Sequence, residues 1–192
     1  ELLMLFDEFE KAGAALQRAE MVAQSVPRGR VSPATYQELA ELESLKGNFN
    51  QAMFHLREAA QTGGTDLHDP GYQVRMGAVY LDMEQVQLAE AMLSPAIKKL
   101  SEDEKPNHLR SLGLHYLAEA EFRLGNREEA LSHLKRSLSE AARLGYDSFL
   151  VNAAHRRPEM LQELAKTWNN RHLETILIRA THIPKGYEEL VQ

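Results

Sequence analysis

Cysteine is absent from the 192 residues. That single absence removes disulfides, thiolate zinc sites and cysteine nucleophiles together. An excess of positive charge is missing too. The 28 acidic residues outnumber the 22 basic ones, for a formal net charge of −6, so no overall basic field draws the chain to DNA or to an anionic membrane. Aromatic residues make up only 7% of the chain, and they do not interleave with the basic clusters as single-stranded nucleic acid binding requires. No apolar run approaches the roughly 20 residues that span a bilayer. The opening Glu1-Leu2-Leu3-Met4-Leu5-Phe6 is too short for a signal peptide and lacks its basic flank. No stretch alternates apolar and polar residues with turn chemistry between runs, so a sheet is not expected. What remains, 43% hydrophobic and 26% charged residues, is the composition of a soluble globular protein, and the lack of cysteine fits a cytoplasmic one.

The positive signal is internal repetition. Gly47-Asn48-Phe49-Asn50-Gln51-Ala52 matches Gly125-Asn126-Arg127-Glu128-Glu129-Ala130. In each, a Gly that can turn left-handed ends one helix and an Asn is the expected N-cap of the next. Gln51 and Glu129 stand three residues later, as a capping box requires. An apolar frame extends the match: Ala52, Leu56 and Ala59 recur as Ala89, Leu93 and Ala96, and as Ala130, Leu134 and Ser137. An earlier copy is Ala12, Leu16 and Ala19, so the leading alanines are 40, 37 and 41 positions apart. Those steps fall among helical-repeat periods. Small residues at Ala40, Gly77 and Ala118 stand opposite Ala52, Ala89 and Ala130, which lets two helices approach closely.

Punctuation between these units is consistent. Ser32-Pro33 and Asp69-Pro70 read as N-cap followed by a first helical proline. Gly63-Gly64 closes one unit, and an acidic loop runs from Ser101 to Pro106. The predicted helices are 7–25, 33–46, 49–62, 70–83, 85–100, 106–124 and 127–144. Asp147 then caps a helix that Pro158 interrupts, and further helices run to Trp168 and from 171 to 180. The expected fold is all-α, with antiparallel helix pairs stacked in a right-handed superhelix. It is a single domain over 1–192, with repeats at 1–26, 33–62, 70–100 and 106–144, C-terminal helices over 147–180 and a tail at 181–192.

This alternation of small and large residues resembles the tetratricopeptide repeat (TPR) family, through Leu39-Ala40, Gly47-Asn48-Phe49, Met76-Gly77, Tyr80, Leu117-Ala118 and Gly125-Asn126 together with the Ala–Leu frame. The chain departs from that pattern in its steps near 40, above the family's usual 34, and in Glu84, which stands where the turn Gly is expected. Long, degenerate repeats of this kind resemble those of large bacterial ATP-dependent transcriptional regulators of the maltose-regulator-like class. The stretch Ala142 to Leu150, followed by Arg156-Arg157-Pro158-Glu159-Met160-Leu161, resembles the segment ending the helical-repeat region in such regulators, including those with a bacterial transcriptional activation domain. The resemblance implies a non-enzymatic sensor or protein-interaction domain of a transcriptional regulator. DNA binding and ATP hydrolysis would then lie elsewhere in a longer chain. A free-standing TPR adaptor with a peptide partner is the alternative. The start within a half-repeat, without Met, fits an excised domain; its rival is a natural terminus covered by a homodimer partner.

Candidate chemistry is sparse. His115 with Glu119, and Glu129 with His133, are i, i+4 pairs that lack a third metal ligand, and Asp66-Leu67-His68-Asp69 is more simply a loop ending in a cap. No metalloprotease, phosphate-loop or dinucleotide motif occurs, and no nucleophile elbow picks out a catalytic triad. Neither a catalytic residue nor a cofactor is expected. Arg156-Arg157, Lys98-Lys99 and Lys135-Arg136 read as solvated faces, and Trp168 as a core or capping residue.

The resemblance makes the first helix of each pair the lining of a concave groove. By register that lining is Gln37, Glu41, Ser44 and Leu45, then Val74, Ala78, Leu81 and Asp82, then His115, Glu119, Phe122 and Arg123. Such a mixed wall suits a peptide, a partner helix or a small polar effector. His115, Glu119 and Arg123 form one stripe, which Asp82 is expected to face.

Overall fold

A computed structural model of the chain describes residues 32–64, 66–103 and 105–182, together with Arg18 and Met21. The expected first repeat and the tail beyond 182 lie outside the described residues. Nine helices and no strand occur among the described residues: α1 Pro33–Leu45, α2 Phe49–Gly63, α3 Pro70–Asp82, α4 Val86–Leu100, α5 His108–Leu124, α6 Arg127–Leu144, α7 Ser148–Arg156, α8 Glu159–Thr167 and α9 Arg171–Thr181. The pairs α1–α2, α3–α4 and α5–α6 pack as hairpins, α4 packs on α5, and α9 packs against α7 and α8.

The Ala–Leu frame explains the pairing. Ala52, Ala89 and Ala130 are fully buried, as are Leu93 and Leu134, with Leu56 at 2% exposure. A Cβ on Gly77 would come within 2.5 Å of Leu93, so α3 and α4 touch at a point where only glycine fits. Between hairpins, Gly113 does the same service, since a Cβ there would meet Ile97 at 2.6 Å and Val74 at 2.9 Å. In the last hairpin Ser137 takes the frame's third position. Its hydroxyl donates to the Ser111 carbonyl (2.7 Å) while the Ser111 hydroxyl donates to the Ser137 carbonyl (2.9 Å). Two buried hydroxyls are thus satisfied by each other's backbone, removing the cost of burying them unpaired.

The three hairpin turns share one geometry. One or two residues past the first helix the chain turns left-handed: Gly47 (φ 77°), Glu84 (φ 60°) and Gly125 (φ 90°). The next N–H reaches back five residues: Asn48 to the Glu43 carbonyl, Gln85 to Tyr80 and Asn126 to Glu121, at 2.8–2.9 Å. These bonds satisfy carbonyls that a helix end leaves open. They also correct the expected capping boxes. The Asn48 and Asn126 N–H groups are already used, and the two asparagine side chains reach back to Glu43 (2.8 Å) and Glu121 (2.6 Å) instead of capping the next helix.

Other caps follow the sequence. The Asp69 carboxylate accepts from Gly71 and Tyr72 N–H, and Ser32 Oγ accepts from Thr35 N–H. Two expectations shift. The third hairpin starts at His108 rather than at Pro106, because Asn107 is the residue whose side chain accepts from Leu109 and Arg110 N–H. Asp147 makes no cap; its carboxylate is taken by His172 (3.0 Å) and Arg179 (2.8 Å) of α9. These partners hold its pKa down against the upward push of burial. Trp168 packs half-buried on the core of the C-terminal helices, with Lys135 Nζ 5.3 Å from its ring.

Candidate functional site

Four helices enclose a groove of about 310 Å³. One turn after another along α1, it is lined by Gln37, Glu41 and Ser44; along α3 by Arg75, Ala78 and Asp82; along α5 by His108, Leu112 and Tyr116. Each set repeats at three or four residues, the spacing that keeps side chains on one helix face. The fourth wall comes from the C-terminal region: Phe149, Asn152, Ala153 and Arg156 share one face of α7, flanked by Tyr146 and Arg157.

Of the residues expected to line a groove, Gln37, Glu41, Ser44, Ala78 and Asp82 do meet there. The others do not. Val74 and Leu81 are fully buried in the core shared by α3, α4 and α5. His115 is 1% exposed, with Phe149 of α7 edge-on at 6.1 Å. Glu119 is 5% exposed, held by Arg123 (2.5 Å) and Arg157 (3.3 Å). Phe122 packs on the C-terminal core, with the Arg127 guanidinium 3.7 Å over its ring. Arg123 lies outside the groove and donates to the Leu81 carbonyl at 3.0 Å. The side chain of Leu45 is outside the described residues. For His115 and Glu119 the reason lies in the C-terminal region. Phe149 of α7 lies over 115 and Arg157, just past α7, over 119, so the face of α5 left to the groove is one residue round, at 108, 112 and 116.

Asp82 is the hub of the charges. Its carboxylate accepts from Ser44 Oγ at 2.7 Å, stands 3.0 Å from Arg157 and 3.9 Å from Arg156. Arg157 also faces Glu119, so a guanidinium from the C-terminal region bridges carboxylates of α3 and α5. Arg156-Arg157 is therefore a docked pair rather than a solvated face. By contrast Lys98-Lys99 and Lys135-Arg136 are exposed.

Burial sets the titration behaviour around the groove. It pulls the His115 imidazole down to about 3, with Arg157 adding to the effect, and leaves both ring nitrogens without a hydrogen-bond partner. It raises the Tyr116 phenol far above the usual range, helped by Glu41 and Asp82. It raises Glu41 against the opposing pull of Arg75 and Arg156. It lowers His108, which Arg75 lowers further.

The sequence reading missed Arg75, His108, Tyr116 and the α7 wall. One signal was available for the last: Phe149, Asn152 and Arg156 fall at steps of three and four, a helix face mixing an aromatic with polar groups. Among the described residues no three His, Asp or Glu side chains come together as a metal site would need. Nor is any described helix long and apolar enough to cross a membrane.

No family model matches the chain, and neither does any curated protein. Six solved chains do. One, from Podosopora anserina, is described as nearly identical TPR-like repeats of a kinesin light chain. It superposes with a TM-score of 0.51 at 18% identity, over 93% of this chain and 88% of that one. With identity this low the likeness speaks for the fold, and the fold is an all-α, TPR-like stack of helical hairpins.

Proposed function

We propose that this chain is a non-catalytic interaction domain that holds a short peptide segment of a protein partner in the groove between α1, α3, α5 and α7. The observation that carries this reading is the groove's make-up. Opposite charges fixed on rigid helices, Glu41, Arg75 and Asp82, surround ring surfaces from Tyr116 and Phe149. Preformed polar groups around an apolar floor give orientation and specificity with little reorganisation. The repeat pattern and the segment from Ala142 to Leu161 further support a sensor domain, 1–192, within a bacterial transcriptional regulator. The alternative is a free-standing adaptor that binds a peptide partner. A small polar effector is the rival occupant in either case.

Selection of a displayed random peptide library tests the groove. Peptides enriched on the native chain should lose binding to Ala78→Trp, which fills the groove from α3, while its melting temperature changes little. Enriched peptides that bind both proteins alike would place the interaction elsewhere. Reading the intact gene separates regulator from adaptor: a nucleotide-binding loop or DNA-binding helices in the same chain favours the first. On either reading, the domain alone gives no salt-sensitive micromolar gel shift with duplex DNA.

A further inference from the structure

Granting that the groove is the binding surface, we infer that its occupant is a peptide segment carrying one basic and one acidic side chain, with Glu41 receiving the cation and Arg75 the carboxylate. The groove's other carboxylate and guanidinium groups already stand within ion-pair reach of one another. Asp82 meets Ser44 and Arg157, Arg157 also faces Glu119, and Arg156 is 3.9 Å from Asp82. Glu41 and Arg75 differ from these. Glu41 makes no ion pair or side-chain hydrogen bond with any described residue. The Arg75 guanidinium has one bond, to the Gly71 carbonyl of its own helix at 3.2 Å, out of five N–H donors.

The two lie on neighbouring helices, α1 and α3, joined by the Ser44–Asp82 hydrogen bond, and both line the same cavity. Opposite charges that share a cavity without closing on each other leave two open positions of opposite sign. Glu41 keeps its side chain open to the groove, and the surrounding walls raise its pKa against the pull of Arg75 and Arg156. A guanidinium or ammonium brought by a ligand supplies the missing contact. The donors left on Arg75 suit a carboxylate, which guanidinium binds in a two-pronged fashion.

An extended peptide meets this geometry. Residues i and i+2 of a strand point to the same side about 7 Å apart, so one extended segment can present both charges to a single cavity. The rings of Tyr116, Tyr146 and Phe149, with His108 edge-on to Tyr146 at 4.8 Å, offer apolar surface to the stems of such side chains.

The test uses the full chain and a random twelve-residue displayed library, selected in parallel on the native protein, Glu41→Gln and Arg75→Gln. Peptides enriched on the native protein should carry a basic and an acidic residue close together. In synthetic capped copies, neutralising either residue should weaken binding by about tenfold or more. Neutralising the basic residue should have no further effect on Glu41→Gln, and neutralising the acidic one none on Arg75→Gln. Thermal melts check that both variants fold; if Arg75→Gln does not, Arg75→Lys keeps the charge and should keep the preference for an acidic residue. Enriched peptides without the charge pair, or losses that are the same in native and variant proteins, overturn the inference and leave the groove reading standing. Binding of free arginine or glutamate as tightly as the peptides also overturns it. A library that enriches nothing on the native protein overturns both.

Discussion

The first two described hairpins and the third are built on one frame, yet their inner faces meet different fates. In α1 and α3 part of the face turned away from the hairpin partner is open, and Gln37, Glu41, Ala78 and Asp82 stand in a groove, while Val74 and Leu81 of α3 are fully buried. In α5 the corresponding face is covered by α7, which lays Phe149 on His115, and by Arg157 beside Glu119. The same repeat position is a groove wall in one unit and a core position in another. What decides it is the element packed next in space, which no periodicity within the repeat records.

That contrast can be broken most strongly at His115. An imidazole at about 3 in the folded chain, against about 6.5 when unfolded, binds protons less readily in the native state. Its stabilising effect is complete above pH 6.5 and is lost as pH falls towards 3. The loss expected between pH 7.5 and pH 5 is about 2 kcal/mol, and roughly 4 kcal/mol at pH 3. His115→Leu should remove this component. Glu41, raised by burial, titrates with the opposite sign, and Asp147, lowered by its partners, loses its contribution only below the carboxylate range. Both terms are common to native and variant chains and cancel in the difference. Urea unfolding of the two proteins across this pH range checks it; parallel curves would mean that His115 reaches solvent and that α7 does not cover it.

Next in size is the shared frame. Ala89→Leu and Ala130→Leu should each overpack their hairpin by roughly 1–3 kcal/mol, because both alanines are fully buried. Chemical denaturation checks this, and an unchanged midpoint for either would dissolve the equivalence of the two units.

The smallest effect separates the turns. Glu84 holds φ 60° where Gly47 and Gly125 stand in the other units. Glu84→Gly should stabilise by about 1 kcal/mol, and Gly125→Ala should destabilise by a similar amount. A Cβ on Gly125 would meet nothing within 4 Å, so the conformation alone carries that effect. Melting of both variants checks the pair.

Local chemistry is why so much of the fold was legible. The Ala–Leu spacing, Asp69-Pro70 and the Gly-Asn turns act within a few residues, so helix ends emerged nearly in place. Where a side chain had a choice of partners the sequence misled. Asn48 and Asn126 turned back to Glu43 and Glu121, and Asp147 turned to His172 and Arg179. The site was half legible for the same reason. Glu41 and Asp82 depend only on the repeat, whereas excluding His115, Glu119 and Phe122 requires knowing where the C-terminal helices and Arg157 land, and excluding Arg123 requires its bond to the Leu81 carbonyl. Arg75 escaped because the residues beside it, Val74 and Ala78, were the ones expected to face inward.

The open-versus-covered contrast is tested most directly by comparing one library-selected peptide on two variants. Ala78 is on the open wall, and Arg123 belongs to the covered stripe, bonded to the Leu81 carbonyl and Glu119. Calorimetric titration should find binding to Ala78→Trp weakened by at least about tenfold. Arg123→Ala should bind as the native chain does and lose roughly 1–3 kcal/mol of stability, since it leaves the buried Glu119 to Arg157 alone and the Leu81 carbonyl without its guanidinium donor. The reverse result, native affinity in Ala78→Trp and a tenfold loss in Arg123→Ala, would contradict the account and return the binding surface to the 115–119–123 stripe.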